Sequence, residues 1–267
     1  MSRRHLTFAC GGATLVGSLD VGDRPSGLLI VSGGNEIRSG AFAGQTLLAA
    51  KITAAGYPVF RFDRRGVGDS EGENGGFRSS AEDVAAAVAA FRAACPGLRR
   101  VVGFGNCDAA SALMLSGGAG LDGLVLANPW SFDAEDEATP PPPQAIRARY
   151  AARLRDPREW WRLLRGGVDL GKLARGLAAA ARPAPPPSGL VAEMRAGLGQ
   201  FQGNVRILLA DRDRTAQAFD ASWPSDDARL RHRTGADHAF SAAADRAWLL
   251  AELLAALDEQ ARQLDMG

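Results

Sequence analysis

The chain has 267 residues, 46% of them hydrophobic, with a formal net charge of +1. That length and apolar content bury one sizeable core, and the near-zero charge, with no Lys/Arg cluster alternating with aromatics, excludes a nucleic-acid footprint. No window has the uninterrupted apolar length of a spanning helix, and no metal or cofactor pattern stands out.

No apolar signal-peptide core follows Arg3, Arg4 and His5, and His5 falls in a start that reads as unordered. Cys10, Cys95 and Cys107 form neither a CxxC nor a His-spaced set, so neither a disulfide framework nor a structural zinc is expected. A reducing, cytoplasmic setting follows. Residues 6–8 and 13–19 flank Gly11-Gly12 and read as a hairpin at a sheet edge.

Residues 27–31 are a continuous apolar run, the mark of a strand buried on both faces, and they stop at Ser32-Gly33-Gly34-Asn35. Glycines directly after a central strand let backbone N–H groups turn toward a ligand, although a plain connecting loop reads the same way. Residues 43–55 have helical periodicity and close at Gly56, residues 57–62 give the next strand, and a loop with positional glycines runs from Asp63 to Ser70. Residues 82–94 form an alanine-rich helix ended by Pro96-Gly97.

The next apolar run meets Gly105-Asn106-Cys107-Asp108-Ala109 and breaks into small residues. This predicts a strand turning sharply into a helix with Cys107 at the apex. Such an elbow leaves no room for side chains two residues before and two after the apex, where Gly105 and Ala109 stand. A core cysteine beside glycines has the same local look, so the elbow alone does not decide. Residues 123–127 are another buried strand, ending at Asn128-Pro129-Trp130.

From 131 to 203 the strand/helix alternation stops. An acidic patch, proline runs at 140–143 and 183–187, and helical pieces at 146–154 and 159–164 fill this span. Proline runs behave as stiff spacers outside packed sheets. The expected organisation is a body formed by 1–130 and 204–267, with 131–203 inserted as a helical cap. Trp160 and Trp161 either line a pocket under the cap or glue it to the body; Arg38, Trp130 and Trp160 are the pocket candidates.

Alternation resumes with a strand at 205–209 ending in Asp211-Arg212-Asp213, a short segment at 229–233 leading to Asp237-His238, and an amphipathic helix over 244–264. The fold class is therefore α/β, a mostly parallel sheet covered on both faces, whose ligands bind at the carboxyl ends of the strands. Cys107, Asp213 or Asp211, and His238 all fall at such ends. A thiol acts as its thiolate, which a helix N-terminus favours. His238 would take and return the proton, and the acid would hold the imidazole in its useful tautomer. Asp213, a few residues into its loop, is preferred to Asp211. The backbone N–H of Asp108 with that of Gly34 or Asn35 would form the oxyanion hole. A carboxylate beside a thiolate opposes its formation, which leaves the side chain of Asp108 without an evident purpose.

These residues carry a resemblance. The order nucleophile, acid, histidine is that of the α/β-hydrolases. Within them the chain resembles the exosortase A system-associated hydrolases (type 1) of Gram-negative bacteria. The likeness rests on Gly33-Gly34 with Arg38, on Phe60-Arg61-Phe62-Asp63 with Arg65-Gly66 and Gly68-Asp69-Ser70, on Gly105-Asn106-Cys107-Asp108-Ala109-Ala110-Ser111, on Asn128-Pro129-Trp130, and on Asp213 and Asp237-His238. It implies a hydrolase with a cysteine nucleophile, encoded beside exopolysaccharide and exosortase machinery. The expected chemistry is an acyl-cysteine intermediate on a small carboxylic ester, thioester or lactone. The competing expectation is a non-catalytic module of the same fold that binds a polysaccharide precursor or an export partner.

Overall fold

A computed structural model describes residues 2–132 and 189–265. The predicted cap helices, both proline runs and Trp160 lie outside the described residues. The chain opens with an antiparallel hairpin, β1 (Arg3–Cys10) and β2 (Ala13–Asp20). It turns at Gly11 and Gly12, with φ of 55° and 84°, a conformation that glycine adopts without strain. His5 is not in an unordered start: pairing runs from Arg3 opposite Asp20 to Cys10 opposite Ala13, and His5 Nδ1 lies 3.0 Å from Ser18 Oγ.

Six more strands follow: β3 (Ser26–Val31), β4 (Val59–Phe62), β5 (Arg100–Asn106), β6 (Gly123–Ala127), β7 (Asn204–Ala210) and β8 (Leu230–Arg233). The sheet order is β1-β2-β4-β3-β5-β6-β7-β8. Pairing is antiparallel between β1 and β2 and between β2 and β4, and parallel at the other five junctions. The described helices are α1 (Gly44–Ala54), α2 (Ala81–Ala94), α3 (Asp108–Leu115), α4 (Gly189–Gln200), α5 (Arg214–Ser222) and α6 (Ala243–Asp265).

Every residue of β3, β4 and β6 is buried, which is why residues 27–31 and 123–127 read as unbroken apolar runs rather than alternations; β4 carries the buried Arg61, whose guanidinium pairs with Asp20 at 3.1 Å. One face packs Leu29, Val31, Phe60, Phe62 and Leu126 under α2, α3 and α4 through Phe91, Met114 and Met194. The other packs Leu28, Ile30, Val102 and Phe104 under α1 and α6 through Ile52, Leu253 and Leu257. Each fully buried aliphatic or aromatic side chain contributes about 1.5–3 kcal/mol relative to exposure, so the sheet is the rigid body from which the loops project.

Two helices were not in the sequence reading. Helix α5 begins directly after Asp213, and α4 lies within the span 131–203, where its Leu190, Val191, Met194 and Leu198 join the body's core. None of the described helices is long and apolar enough to cross a membrane. The chain steps from β3 outward to β4 and then crosses back to place β5 on the other side of β3. That reversal leaves a crevice at the carboxyl ends of β3 and β5, where the loops bearing Gly33 and Cys107 emerge side by side.

Candidate active site

Cys107 stands at φ 61° and ψ −128° between β5 and α3, a conformation L-residues seldom adopt and one that costs about 1–3 kcal/mol. The tight geometry explains the small residues around it. A Cβ on Gly105 would lie 2.7 Å from the carbonyl carbon of Ala109, and Ala109 itself is 1% exposed. The Cys107 N–H donates to the Ala127 carbonyl at 3.0 Å, and its own carbonyl accepts from Trp130 N–H at 3.3 Å. Both bonds tie the apex to the end of β6. The thiol is free and half-buried at the N-terminal end of α3.

His238 sits in the loop between β8 and α6. The loop is anchored by Phe240, 1% exposed and stacked on Trp248 at 5.8 Å between centroids, and by Asp237, whose carboxylate accepts from Ser241 N–H at 2.8 Å. The His238 ring places Nδ1 2.9 Å from Asp213 Oδ2, and the Cys107 thiol lies near enough to act on its charge. Asp213 caps α5, its carboxylate accepting from Ala216 N–H at 3.0 Å. Asp211, the alternative acid, faces a different histidine: its carboxylate lies 3.6 Å from His232 Nδ1.

The hydrogen bond to Asp213 and then the interaction with the Cys107 thiol push the His238 imidazole up to about 10, against the opposing effect of burial. The ring is therefore a cation through the neutral range, placed between a carboxylate and a thiol.

Two asparagines hold this loop from below. Asn106 Nδ2 donates to the His238 carbonyl at 3.2 Å, and Asn128 Nδ2 donates to the same carbonyl at 3.1 Å. Asn128 Oδ1 accepts from Ala210 N–H at 2.9 Å, and Asn128 Nδ2 also reaches Asn106 Oδ1 at 3.1 Å. Asn128 is fully buried and held at φ 44°. It thus joins the ends of β5, β6 and β7 to the histidine loop. The sequence signalled it only as the polar residue after a buried strand and before Pro129.

The glycine turn after β3 meets the elbow directly. Gly34 N–H donates to both oxygens of Asp108, at 2.8 and 2.9 Å, so one of the expected oxyanion donors is already engaged. The N–H groups of Asn35 and Asp108 meet no acceptor among the described residues, while the Asn35 side chain accepts from Asn74 Nδ2 at 2.7 Å. Of the pocket candidates, Trp130 is beside the elbow: its carbonyl accepts from Ser111 Oγ at 2.7 Å and its ring meets Phe132 edge-on at 4.8 Å. Arg38 is committed elsewhere, to Asp63, to Asp69 at 2.9 Å and to Ser18 Oγ at 3.2 Å. It lines a separate cavity of about 220 Å³ with Arg3, His5 and Arg61.

A family model described as serine aminopeptidase, S33, matches residues 23–265. No curated protein matches the chain. Among solved structures, the Pyrococcus furiosus esterase Pf2001 superposes with a TM-score of 0.63 at 13% identity, over 97% of this chain and 90% of that one. The α/β hydrolase GrgF from Penicillium sp. sh18 gives a TM-score of 0.63 at 15% identity, covering 97% and 99%. Est1E from Butyrivibrio proteoclasticus, solved with ferulic acid bound, gives 0.55 at 13% identity, covering 93% and 99%. At these identities the likeness is one of fold.

Proposed function

Because this chain belongs to the serine aminopeptidase S33 family of α/β-hydrolases, we propose that it is a hydrolase in which Cys107 takes the place of the serine that the family's description names. Cys107, His238 and Asp213 act as nucleophile, proton carrier and orienting acid on a carboxylic ester, thioester or lactone. The single observation that supports this most is His238, held by the buried Asp213 carboxylate at 2.9 Å, with its charge coupled to the Cys107 thiol at a strained elbow.

In this reading the Cys107 sulfur, as thiolate beside the His238 cation and the N-terminus of α3, attacks the acyl carbon. A carbon–sulfur bond forms and the carbonyl π pair moves onto oxygen. Collapse of that oxyanion breaks the bond to the alcohol or thiol, which leaves with the proton from His238. The neutral imidazole then takes a proton from water as the hydroxyl attacks the acyl-cysteine. The acid is released, and the thiolate and imidazolium are restored. Thiolate is itself a good leaving group, which favours esters and thioesters over amides.

The resemblance to exosortase A system-associated hydrolases extends the proposal to acyl groups in exopolysaccharide metabolism, with Trp130 against the substrate. The test is iodoacetamide labelling and p-nitrophenyl acetate turnover across pH for wild type, Cys107→Ser and His238→Ala. Cys107 should label faster than a free thiol, and each substitution should cost about 10²- to 10⁴-fold in turnover. Labelling no faster than a free thiol, with turnover untouched by both substitutions, would remove the triad and favour a binding module.

A further inference from the structure

The Asp108 side chain has a job that its neighbour's chemistry does not suggest. A carboxylate next to a nucleophilic thiol and a developing oxyanion is electrostatically unfavourable unless something balances it. Its position relative to the glycine turn accounts for its presence. Both carboxylate oxygens accept from Gly34 N–H, at 2.8 and 2.9 Å. The Gly34 carbonyl, at the other end of the same residue, accepts from the Arg64 guanidinium, which also donates to Ser80 Oγ at 2.7 Å. Gly34 is thereby gripped at its N–H and its C=O by two side chains from different loops.

The turn is shaped to this grip. A Cβ on Gly33 would lie 2.5 Å from Asp108 Oδ1 and 2.9 Å from the Asn106 carbonyl oxygen, so only glycine lets the backbone close onto the carboxylate. Gly34 stands at φ 53°, and Glu36 N–H closes the turn on the Gly33 carbonyl at 3.0 Å. Arg64 is 4% exposed. Burial pulls its guanidinium down from its ordinary value, while the charges of Asp108 and Asp83 act to raise it. A buried cation on the other side of Gly34 therefore acts electrostatically on the carboxylate and offsets part of its charge.

We propose that Asp108 is a positioning residue: its carboxylate, balanced by Arg64, consumes the Gly34 amide and sets the turn so that the backbone N–H groups of Asn35 and Asp108 are the two oxyanion donors. This rests on the proposed acyl-transfer role of Cys107 and adds to it which amides receive the oxyanion and what fixes them. A carboxylate in this place also rules out Gly34 as a third donor while the clamp is closed.

Two reactions of the same thiol separate this role from general support of the fold. Alkylation by iodoacetamide is a displacement at a saturated carbon and forms no oxyanion, whereas acylation by p-nitrophenyl acetate does. Both rates are measured at their pH plateau for wild type, Asp108→Ala, Asp108→Asn and Arg64→Met, with circular dichroism reporting the fold of each. Asp108→Ala should lower acylation by about 10²- to 10³-fold, the scale of a lost oxyanion donor, and leave alkylation within about twofold. Asp108→Asn, whose amide oxygen can still accept from Gly34, should recover most of the loss, and Arg64→Met should resemble Asp108→Ala. Equal losses in both reactions would overturn the proposal, as would faster acylation in Asp108→Ala, which would mean that the carboxylate blocks the site. Slow alkylation in wild type would instead count against Cys107 as the nucleophile.

Discussion

Two of the histidines face aspartates at the carboxyl end of the sheet. His238 Nδ1 is 2.9 Å from Asp213, while His232 lies 3.6 Å from both Asp211 and Asp220. The two imidazoles are about equally open to solvent, 42% and 45% exposed, so exposure of the ring does not distinguish them. The carboxylates do: Asp213 is 9% exposed, against 37% for Asp211 and 42% for Asp220. Asp213 is also fixed by Ala216 N–H as the cap of α5. A buried, already oriented acceptor holds an imidazole in one tautomer, whereas an exposed ion pair at 3.6 Å is worth little. The difference teaches that the two histidines are set apart by the surroundings of their carboxylate partners more than by their own.

The largest effects should come from breaking one pair and sparing the other. His238→Ala is expected to lower p-nitrophenyl ester turnover by about 10²- to 10⁴-fold, while His232→Ala leaves it within about twofold, the scale of a surface substitution. In the same assay Asp213→Asn should cost up to about 10⁴-fold by favouring the wrong tautomer, and Asp211→Asn should cost nothing measurable. A comparable loss at His232 or Asp211 would show that the second pair takes part.

A smaller effect should follow from loosening the floor under His238. Asn128→Asp keeps an acceptor for Ala210 N–H but removes the donor to the His238 carbonyl and sets a carboxylate against oxygen acceptors. Unfolding by denaturant should report a loss of about 1–3 kcal/mol, and turnover should fall about tenfold or more through misplacement of the ring. Unchanged turnover would mean that Phe240 and Asp237 suffice to place the loop.

The smallest effect is on stability against pH. The His238 imidazole is raised to about 10 from an ordinary 6.5, so its favourable interactions are fully present below about 6.5 and are lost as pH climbs through 10. The Tm difference between wild type and His238→Gln should therefore shrink steadily from pH 6 to pH 10. A difference that stays flat from pH 6 to pH 10 would show that the His238 cation gains nothing from its partners.

Most of the sheet was legible because its central strands are buried on both faces and break into small residues near their ends, as at Ser32-Gly33-Gly34 after β3 and at Gly105 in β5. The three strand-end candidates were legible from type and order. Asp213 is preferred to Asp211 from its place in the loop, but the physical reason needed the fold: Asp213 caps α5, and that helix has a largely polar sequence (RTAQAFDAS) that does not announce itself. Helix α4 was hidden for another reason: it follows proline-rich sequence that suggested a tethered insertion, yet its apolar face packs into the body. The roles of Asn128, Arg64 and the Asp108 side chain were invisible because their partners lie far along the chain, 110 residues for Asn128 with His238 and 74 for Asp108 with Gly34. No periodicity or spacing records such contacts.

The central claim is that Cys107 becomes acylated during turnover. The direct measurement is peptide mass spectrometry after mixing the protein with p-nitrophenyl acetate and quenching in acid, with His238→Ala alongside. The account predicts one acetyl group on the peptide carrying Cys107, present in wild type, lost after a chase in substrate-free buffer, and strongly reduced in His238→Ala. Turnover with the acetyl group on Cys10, on Cys95 or on a hydroxyl side chain, and none on Cys107, would contradict it.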